Sequence, residues 1–196
     1  MLFSKPEGDD QQLEILAGAL KNGIIHMLKE RADALLPVRA TMEKKQIIEF
    51  MKKMRVDSID KFPSATFVST VNYYANEHDM AKKKTLGALV IYVEEEYVPE
   101  LLRLLKYPVV NYESEDALKD ACGTLANILA GRFKNEMLTL GLSDLEMTHF
   151  TNYRNNALVG VDFYPKQLNK YEINIYIRDN KRLVVELTMG PVVKKK

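Results

Sequence analysis

The sequence predicts an α+β domain in which a long helix packs on a largely antiparallel sheet, preceded by N-terminal helices. Apolar residues recur at helical spacing through residues 115–141, and runs rich in β-branched and aromatic residues lie on both sides of that segment. The predicted order is helices, two strands, a helix, the long helix and then several strands, which differs from the regular alternation of a parallel α/β fold. Of the 196 residues, 46% are hydrophobic, which is enough for one sizeable core.

Composition excludes several classes of protein. The formal net charge of +1, from 28 basic and 27 acidic residues, provides no field that would attract nucleic acid or an anionic membrane. The single cysteine, Cys122, rules out an intrachain disulfide and a cysteine-based zinc site, and its place among apolar residues predicts a buried thiol. No apolar run reaches the roughly 18–20 residues of a membrane span, and no signal-peptide hydrophobic region is present. The cytoplasm is therefore the expected location.

Residues 1–60 are predicted to form an N-terminal helical segment. Asp9 or Asp10 would cap a first helix that runs to about Leu36 and ends at Pro37. A second helix is expected over residues 42–54, because four apolar residues fall on one side of it: Ile47, Ile48, Met51 and Met54.

Residues 61–190 are predicted to form the α+β domain itself. Strands are expected at residues 66–74 and 86–93, followed by a helix over 94–106, and later strands at 145–153 and 157–164. Residues 170–189 alternate between apolar and polar side chains around Asp179-Asn180, which predicts a hairpin. Residues 191–196 would form a frayed basic tail.

The predicted helix at residues 115–141 has two different faces. One is an apolar stripe of Leu118, Cys122, Leu125, Leu129 and Phe133. Roughly opposite lie Asp120, Thr124, Asn127 and Gly131, which are small or polar and each disfavour a helix. Two explanations of this second face remain open. Either another element crosses it closely and Asn127 satisfies a backbone group, or the face is exposed and recognises a partner.

The run from Asp120 to Gly131, DACGTLANILAG, resembles the signature helix of the CheX/CheC/FliY family of chemotaxis phosphatases. The predicted order of a hairpin, a short helix, this helix and a C-terminal antiparallel sheet is similar to a CheX-like domain over about residues 60–190. The resemblance implies a phosphatase, and hence a hydrolase, that acts on the aspartyl phosphate of a CheY-like response regulator in chemotaxis or another two-component pathway. It also implies that the chain can form a homodimer.

In such a family member, the asparagine that aligns with Asn127 orients the water that attacks the phosphoryl group. An amide suits this task because it both donates and accepts hydrogen bonds. Asp120, Thr124 and Gly131 would then help to bind the regulator. Mg²⁺ is expected on the partner regulator, so no cofactor and no metal site are expected in this chain.

The sequence departs from the family pattern in two places. The family places a glutamate, which pairs with a lysine of the regulator, three residues before the asparagine, and this chain has Thr124 there. The family also has a proline after the helix. This chain lacks it, and the corresponding region contains Thr148, His149 and Phe150. A neutral hydroxyl cannot form the charge-assisted hydrogen bond of a carboxylate. The alternative function is therefore a non-catalytic CheX-like module for protein binding or dimerisation.

Overall fold

The computed structural model describes residues 7–32, 35–108 and 113–195. Within these ranges the helices are α1 Glu7–Arg31, α2 Glu77–Ala81, α3 Val98–Leu104 and α4 Glu115–Thr139. A 3-10 turn, Glu95–Tyr97, leads into α3. In the same ranges, no helix is both long enough and apolar enough to cross a membrane.

The strands form two antiparallel sheets. They are β1 Val38–Gln46, β2 Glu49–Phe50, β3 Lys53–Asp57, β4 Thr66–Tyr74, β5 Gly87–Glu94, β6 Glu146–Met147, β7 Thr151–Arg154, β8 Asn156–Val161, β9 Asn169–Ile177 and β10 Asn180–Met189. The main sheet has the order β1-β9-β10-β5-β4, and both β6 and β7 pair with β4 at its outer edge. The small sheet has the order β2-β3-β8. The predicted α+β class is confirmed.

The two sheets and the helices make three layers, because the main sheet is apolar on both faces. Along β5, Leu89 and Ile91 join the core with α1, α3 and α4, whereas Val90 and Tyr92 join a second core with the small sheet. Alternate side chains of a strand point to opposite faces. Burial on both faces therefore explains why residues 86–93 form a continuous apolar run.

The long helix predicted at residues 115–141 is confirmed as α4. Ser114 Oγ accepts a hydrogen bond from the backbone N–H of Ala117 over 3.3 Å and so caps its first turn. Gly141 follows the helix with φ of +76°, the left-handed conformation that commonly terminates a helix. The predicted apolar stripe is buried, including Cys122 at 2% exposure, and packs toward the main sheet.

The second N-terminal helix predicted for residues 42–54 is wrong. These residues instead belong to β1, β2, β3 and the turns between them. β1 pairs along its whole length with β9, from Val38 opposite Ile177 to Gln46 opposite Asn169. Half-buried Val38, Ala40 and Met42 alternate with exposed residues, which is the two-residue period of a strand.

Residues 1–60 therefore do not form a helical segment separate from the α+β domain. α1 confirms that a first helix exists, but it spans Glu7–Arg31, so Asp9 and Asp10 lie within it instead of capping it, and it ends before Leu36 and Pro37. It packs beside α4, where Arg132 binds the Glu30 carboxylate over 3.2 Å. β1 is an edge strand of the main sheet itself. This part of the fold depends on hydrogen-bond partners that are more than 100 residues away in the sequence. Local periodicity cannot reveal such partners.

The frayed tail predicted for residues 191–196 is also wrong for residues 191–195, the part that the structure describes. Val192 is 4% exposed, and the Gln12 side chain of α1 exchanges two hydrogen bonds with its backbone, at 2.8 and 2.9 Å. The backbone N–H of Lys195 donates to the carbonyl of Gly141 over 2.8 Å. The C-terminal segment thus fastens the beginning of α1 to the end of α4.

A network of buried charges joins the loop after β3 to the main sheet. Lys61 Nζ lies 2.5 Å from Glu172 on β9 and 3.0 Å from Glu186 on β10, and Lys170 lies 2.6 Å from Glu186. Burial alone would raise the pKa of Glu172, but hydrogen bonds from Lys61 and Lys45 outweigh it and lower that pKa to about 2. The network holds the small-sheet layer against the outer face of the main sheet.

Candidate functional site

The four predicted site residues lie together along α4, on the side turned away from the core. Asp120 and Thr124 are exposed, whereas Asn127 and Gly131 are half-buried. Within one helix, residues three and four apart are neighbours on the surface, so the four form one continuous strip. We call Asp120, Thr124, Asn127 and Gly131 the α4 face.

The amide of Asn127 makes no hydrogen bond within the described part of the chain. Its Oδ1 atom is buried, yet no donor reaches it. A buried polar atom without a partner typically costs about 1–3 kcal/mol, so such groups in native proteins call for an explanation. The structure thus does not support the explanation in which Asn127 satisfies a neighbouring backbone group.

Gly131 is open on its outward side. A Cβ atom built at this position meets no atom within 4 Å among the described residues. Glycine costs roughly 1 kcal/mol relative to alanine inside a helix, and here no packing within the described part of the chain requires it. The explanation in which an element of this chain crosses closely at Gly131 is therefore not supported either.

Thr124 and Asp120 differ in what they offer to a partner. The Thr124 hydroxyl donates to the backbone carbonyl of Asp120 over 3.1 Å, which is a common local bond of threonine in a helix. The Asp120 carboxylate is exposed and forms no ion pair or hydrogen bond with the other described residues. Of these two side chains, Asp120 is the one with a free charge.

The N-terminal end of the α4 face is acidic. Glu115 and Asp116 precede Asp120, and Arg154 on β7 bridges Glu115 at 3.4 Å and Glu95 at 2.9 Å. Acidic side chains in a first helical turn are stabilised by the helix dipole, so Glu115 and Asp116 have a structural role. Both carboxylates also have cationic partners in this chain, Arg154 for Glu115 and Lys119 for Asp116 at 3.5 Å, so Asp120 provides the free negative charge at this end of the face.

Gly123, which the sequence patterns did not single out, borders the α4 face one turn before Asn127. The ring of Phe150 packs on the backbone there, and a Cβ atom at residue 123 would overlap that ring. Phe150 belongs to the connection between β6 and β7, the region where the family pattern has its proline. A glycine in the middle of an otherwise regular helix was the sequence signal that could have identified this contact.

Two other groups in the region offer no catalytic chemistry. Burial raises the pKa of the Cys122 thiol well above its ordinary value, so the nucleophilic thiolate is disfavoured. Among the described residues, no group of three or more His, Cys, Asp and Glu side chains is arranged to hold a metal ion. Any chemistry at the α4 face would have to use its amide, hydroxyl and carboxylate groups.

Comparison with known proteins finds similarity in structure rather than in sequence. Neither the protein-family models nor the curated protein sequences give a match. Thermotoga maritima FliY has a TM-score of 0.54 at 15% identity, with 98% of this chain and 92% of that chain covered. The FliM middle domain from H. pylori has a TM-score of 0.57 at 11% identity, with 92% of each chain covered.

A third solved structure is that of Borrelia burgdorferi CheX in a complex with CheY, BeF3 and Mg²⁺. Its TM-score is 0.50 at 10% identity, with 89% of this chain and 97% of that chain covered. At such low identities the comparisons establish the fold. The expectation based on the residues of α4 is thereby confirmed at that level, and the chain has the fold of the CheX, CheC-like and FliY chemotaxis proteins.

Proposed function

We propose that this protein binds a phosphorylated CheY-like response regulator through the α4 face and accelerates hydrolysis of its aspartyl phosphate. The observation on which the proposal depends is the unpartnered amide of Asn127 on a helix face that the described chain leaves uncovered. The proposal includes a role in chemotaxis or two-component signalling and the cytoplasmic location expected from the sequence.

The chemistry requires one water molecule held in line with the bond that breaks. The water attacks phosphorus, the phosphorus–oxygen bond to the regulator's aspartate breaks, and the aspartate leaves as a carboxylate with release of inorganic phosphate. Asn127 would fix the orientation of that water by donating to it and accepting from it. The metal that neutralises the phosphoryl oxygens would be the regulator's own Mg²⁺, so this chain needs no cofactor.

The α4 face also has the shape and charge that docking requires. Gly131 leaves room beside Asn127 for the backbone or side chains of the regulator. Asp120, one turn before Thr124, would form the charge-assisted hydrogen bond with a lysine of the regulator that the family's glutamate makes. A CheY-like partner agrees with the CheX–CheY complex of Borrelia burgdorferi, a protein of the same fold.

Thr124 supports a second candidate function. Its hydroxyl is already bonded within the helix, so the position of the family's glutamate supplies neither a charge nor a free donor. A protein that binds a regulator without hydrolysing its phosphate would not need Asn127 to orient a water molecule.

Release of inorganic phosphate from phosphorylated CheY-like regulators of the source organism tests the proposal. The wild-type chain is expected to accelerate release, and Asn127→Ala is expected to reduce the acceleration about 100-fold. Asn135→Ala is the matched control, since Asn135 is an exposed asparagine about 12 Å further along the same helix. It should leave the rate unchanged.

The same experiment separates the two candidates. Acceleration by the wild type that Asn127→Ala removes supports the phosphatase. Binding of a regulator without acceleration, measured by calorimetry with the same panel, would favour the non-catalytic module. If the wild type neither binds nor accelerates any regulator of the panel, both proposals are wrong.

A further inference from the structure

Asn127 is partly exposed, but its side-chain oxygen is not. The residue as a whole is half-buried, whereas its Oδ1 atom is shielded from solvent and receives no hydrogen bond from the described residues. A donor beside this oxygen would bond to it, because an unpaired buried polar atom costs about 1–3 kcal/mol. The part of the described chain that covers Oδ1 is therefore apolar, although the proposed chemistry uses this atom as an acceptor.

Phe150 is the apolar side chain that the helix geometry places beside this amide. Its ring packs on the backbone of Gly123, in the volume that a Cβ atom there would occupy. Gly123 lies four residues before Asn127, so the two share one side of α4. Side chains of a helix lean toward its N-terminus and cover the preceding turn. The amide of Asn127 thus extends over the turn on which the ring of Phe150 packs.

The position of this ring is fixed by the main sheet and not by α4. Just before Phe150, the backbone N–H of Thr148 donates to the carbonyl of Asn72 on β4 over 3.0 Å, and the N–H of Asn72 donates to Thr148 Oγ1 over 3.0 Å. Just after it, β7 begins at Thr151 and pairs with β4. The ring itself packs against the main core. Phe150 therefore provides a rigid wall beside the α4 face.

We propose that Phe150 is a positioning residue for Asn127. Its ring restricts the rotamers of the amide and keeps bulk water from the oxygen until the regulator docks. Docking has to expose this oxygen to one water molecule, and the ring limits the orientations in which the amide can meet it. A group that is held in place before the reaction loses less entropy in the transition state. This role rests on the proposed phosphatase function and adds the residue that orients the amide.

The kinetic test uses Phe150→Leu, which keeps an apolar side chain and removes the flat ring. With the regulator that the wild type dephosphorylates fastest, kcat should fall about tenfold while KM stays within about twofold. In the Asn127→Ala background, Phe150→Leu should have no further effect, because the amide that it positions is gone. A kcat equal to that of the wild type, or an equal loss in both backgrounds, would overturn the proposal.

Met147→Ala is the matched control for lost packing. Met147 lies on β6, is half-buried and packs against the same core as Phe150. Its truncation removes apolar volume from the core but leaves the ring on Gly123, so kcat should remain that of the wild type. Urea unfolding of both variants verifies that each is folded under the assay conditions. A Met147→Ala variant that loses as much kcat as Phe150→Leu would mean that packing in general, and not the ring, is responsible.

Nuclear magnetic resonance of the free chain tests the contact without any phosphatase assay. The side-chain amide protons of Asn127 are identified by their loss in Asn127→Ala. Phe150→Leu should move these signals, because they lie beside the ring, and should leave those of the exposed Asn135 in place. Asn127 signals that do not move would overturn the positioning role even if the wild type is an active phosphatase. A wild type that accelerates no regulator would instead overturn the proposed function, and with it the role of Phe150 in hydrolysis.

Discussion

The ring of Phe150 lies against Gly123 of α4, in the volume that a side chain at that position would occupy. This contact joins the connection between β6 and β7 to the helix one turn before Asn127. Gly123→Ala should therefore destabilise the protein by about 1–3 kcal/mol, the usual cost of overpacking, even though alanine is the better helix former. Urea unfolding measures the change.

A double-mutant cycle verifies the cause of that loss. Phe150→Ala removes the ring, so Gly123→Ala should cost little or nothing in the Phe150→Ala background. Equal destabilisation of both backgrounds would mean that Phe150 does not require the glycine.

Gly131 should respond in the opposite way, because its outward side is open. Gly131→Ala should stabilise the protein by up to about 1 kcal/mol through helix propensity.

Gly131→Gln should fold equally well but weaken binding of the regulator, since the longer side chain fills the space beside Asn127. Gly18→Ala and Gly18→Gln on α1, where a Cβ also meets no atom of the described residues within 4 Å, are the matched controls. Binding that is unaffected by glutamine at residue 131 would exclude the α4 face as the docking surface.

Thr124→Glu should increase phosphatase activity. A carboxylate at this position can form the charge-assisted hydrogen bond that threonine lacks, which is worth about 1.5–3 kcal/mol, or roughly 10- to 100-fold in kcat/KM. Thr124→Gln, which has the same length and no charge, should give little of this gain. If both variants behave like the wild type, the regulator does not place a lysine opposite residue 124.

The stability of the fold should depend on pH through Glu172. Its pKa is about 2 in the folded chain against an ordinary value of 4.5, so its ion pairs stabilise the fold fully above pH 4.5. As the pH falls from 4.5 toward 2, that contribution, about 3 kcal/mol, should be lost. Urea unfolding across this range should show a shallower pH dependence for Glu172→Gln than for the wild type. A Glu172→Gln chain with the same pH dependence as the wild type would mean that this carboxylate does not contribute to it.

Local sequence patterns correctly predicted two kinds of element. One is the helix, whose hydrogen bonds lie within a single segment, and the other is the hairpin, whose two strands are adjacent in the sequence. The apolar stripe predicted α4, and the alternation around Asp179-Asn180 predicted the β9–β10 hairpin. Residues 42–54 were misassigned because the spacing of Ile47, Ile48, Met51 and Met54 fits a helix as well. Pairing of β1 with the distant β9 satisfied that backbone instead.

The sequence alone determined which residues occupy the outward side of α4, because the helical period fixes the arc that contains Asp120, Thr124, Asn127 and Gly131. Only the tertiary structure decided that, among the residues it describes, none covers this arc at Gly131 and none hydrogen-bonds the Asn127 amide. Whether the outward side of α4 is covered depends on where distant segments of the chain pack. The spacing of residues within one helix contains no information about the position of those segments. For the same reason, only the fold revealed that the ring of Phe150 lies against Gly123.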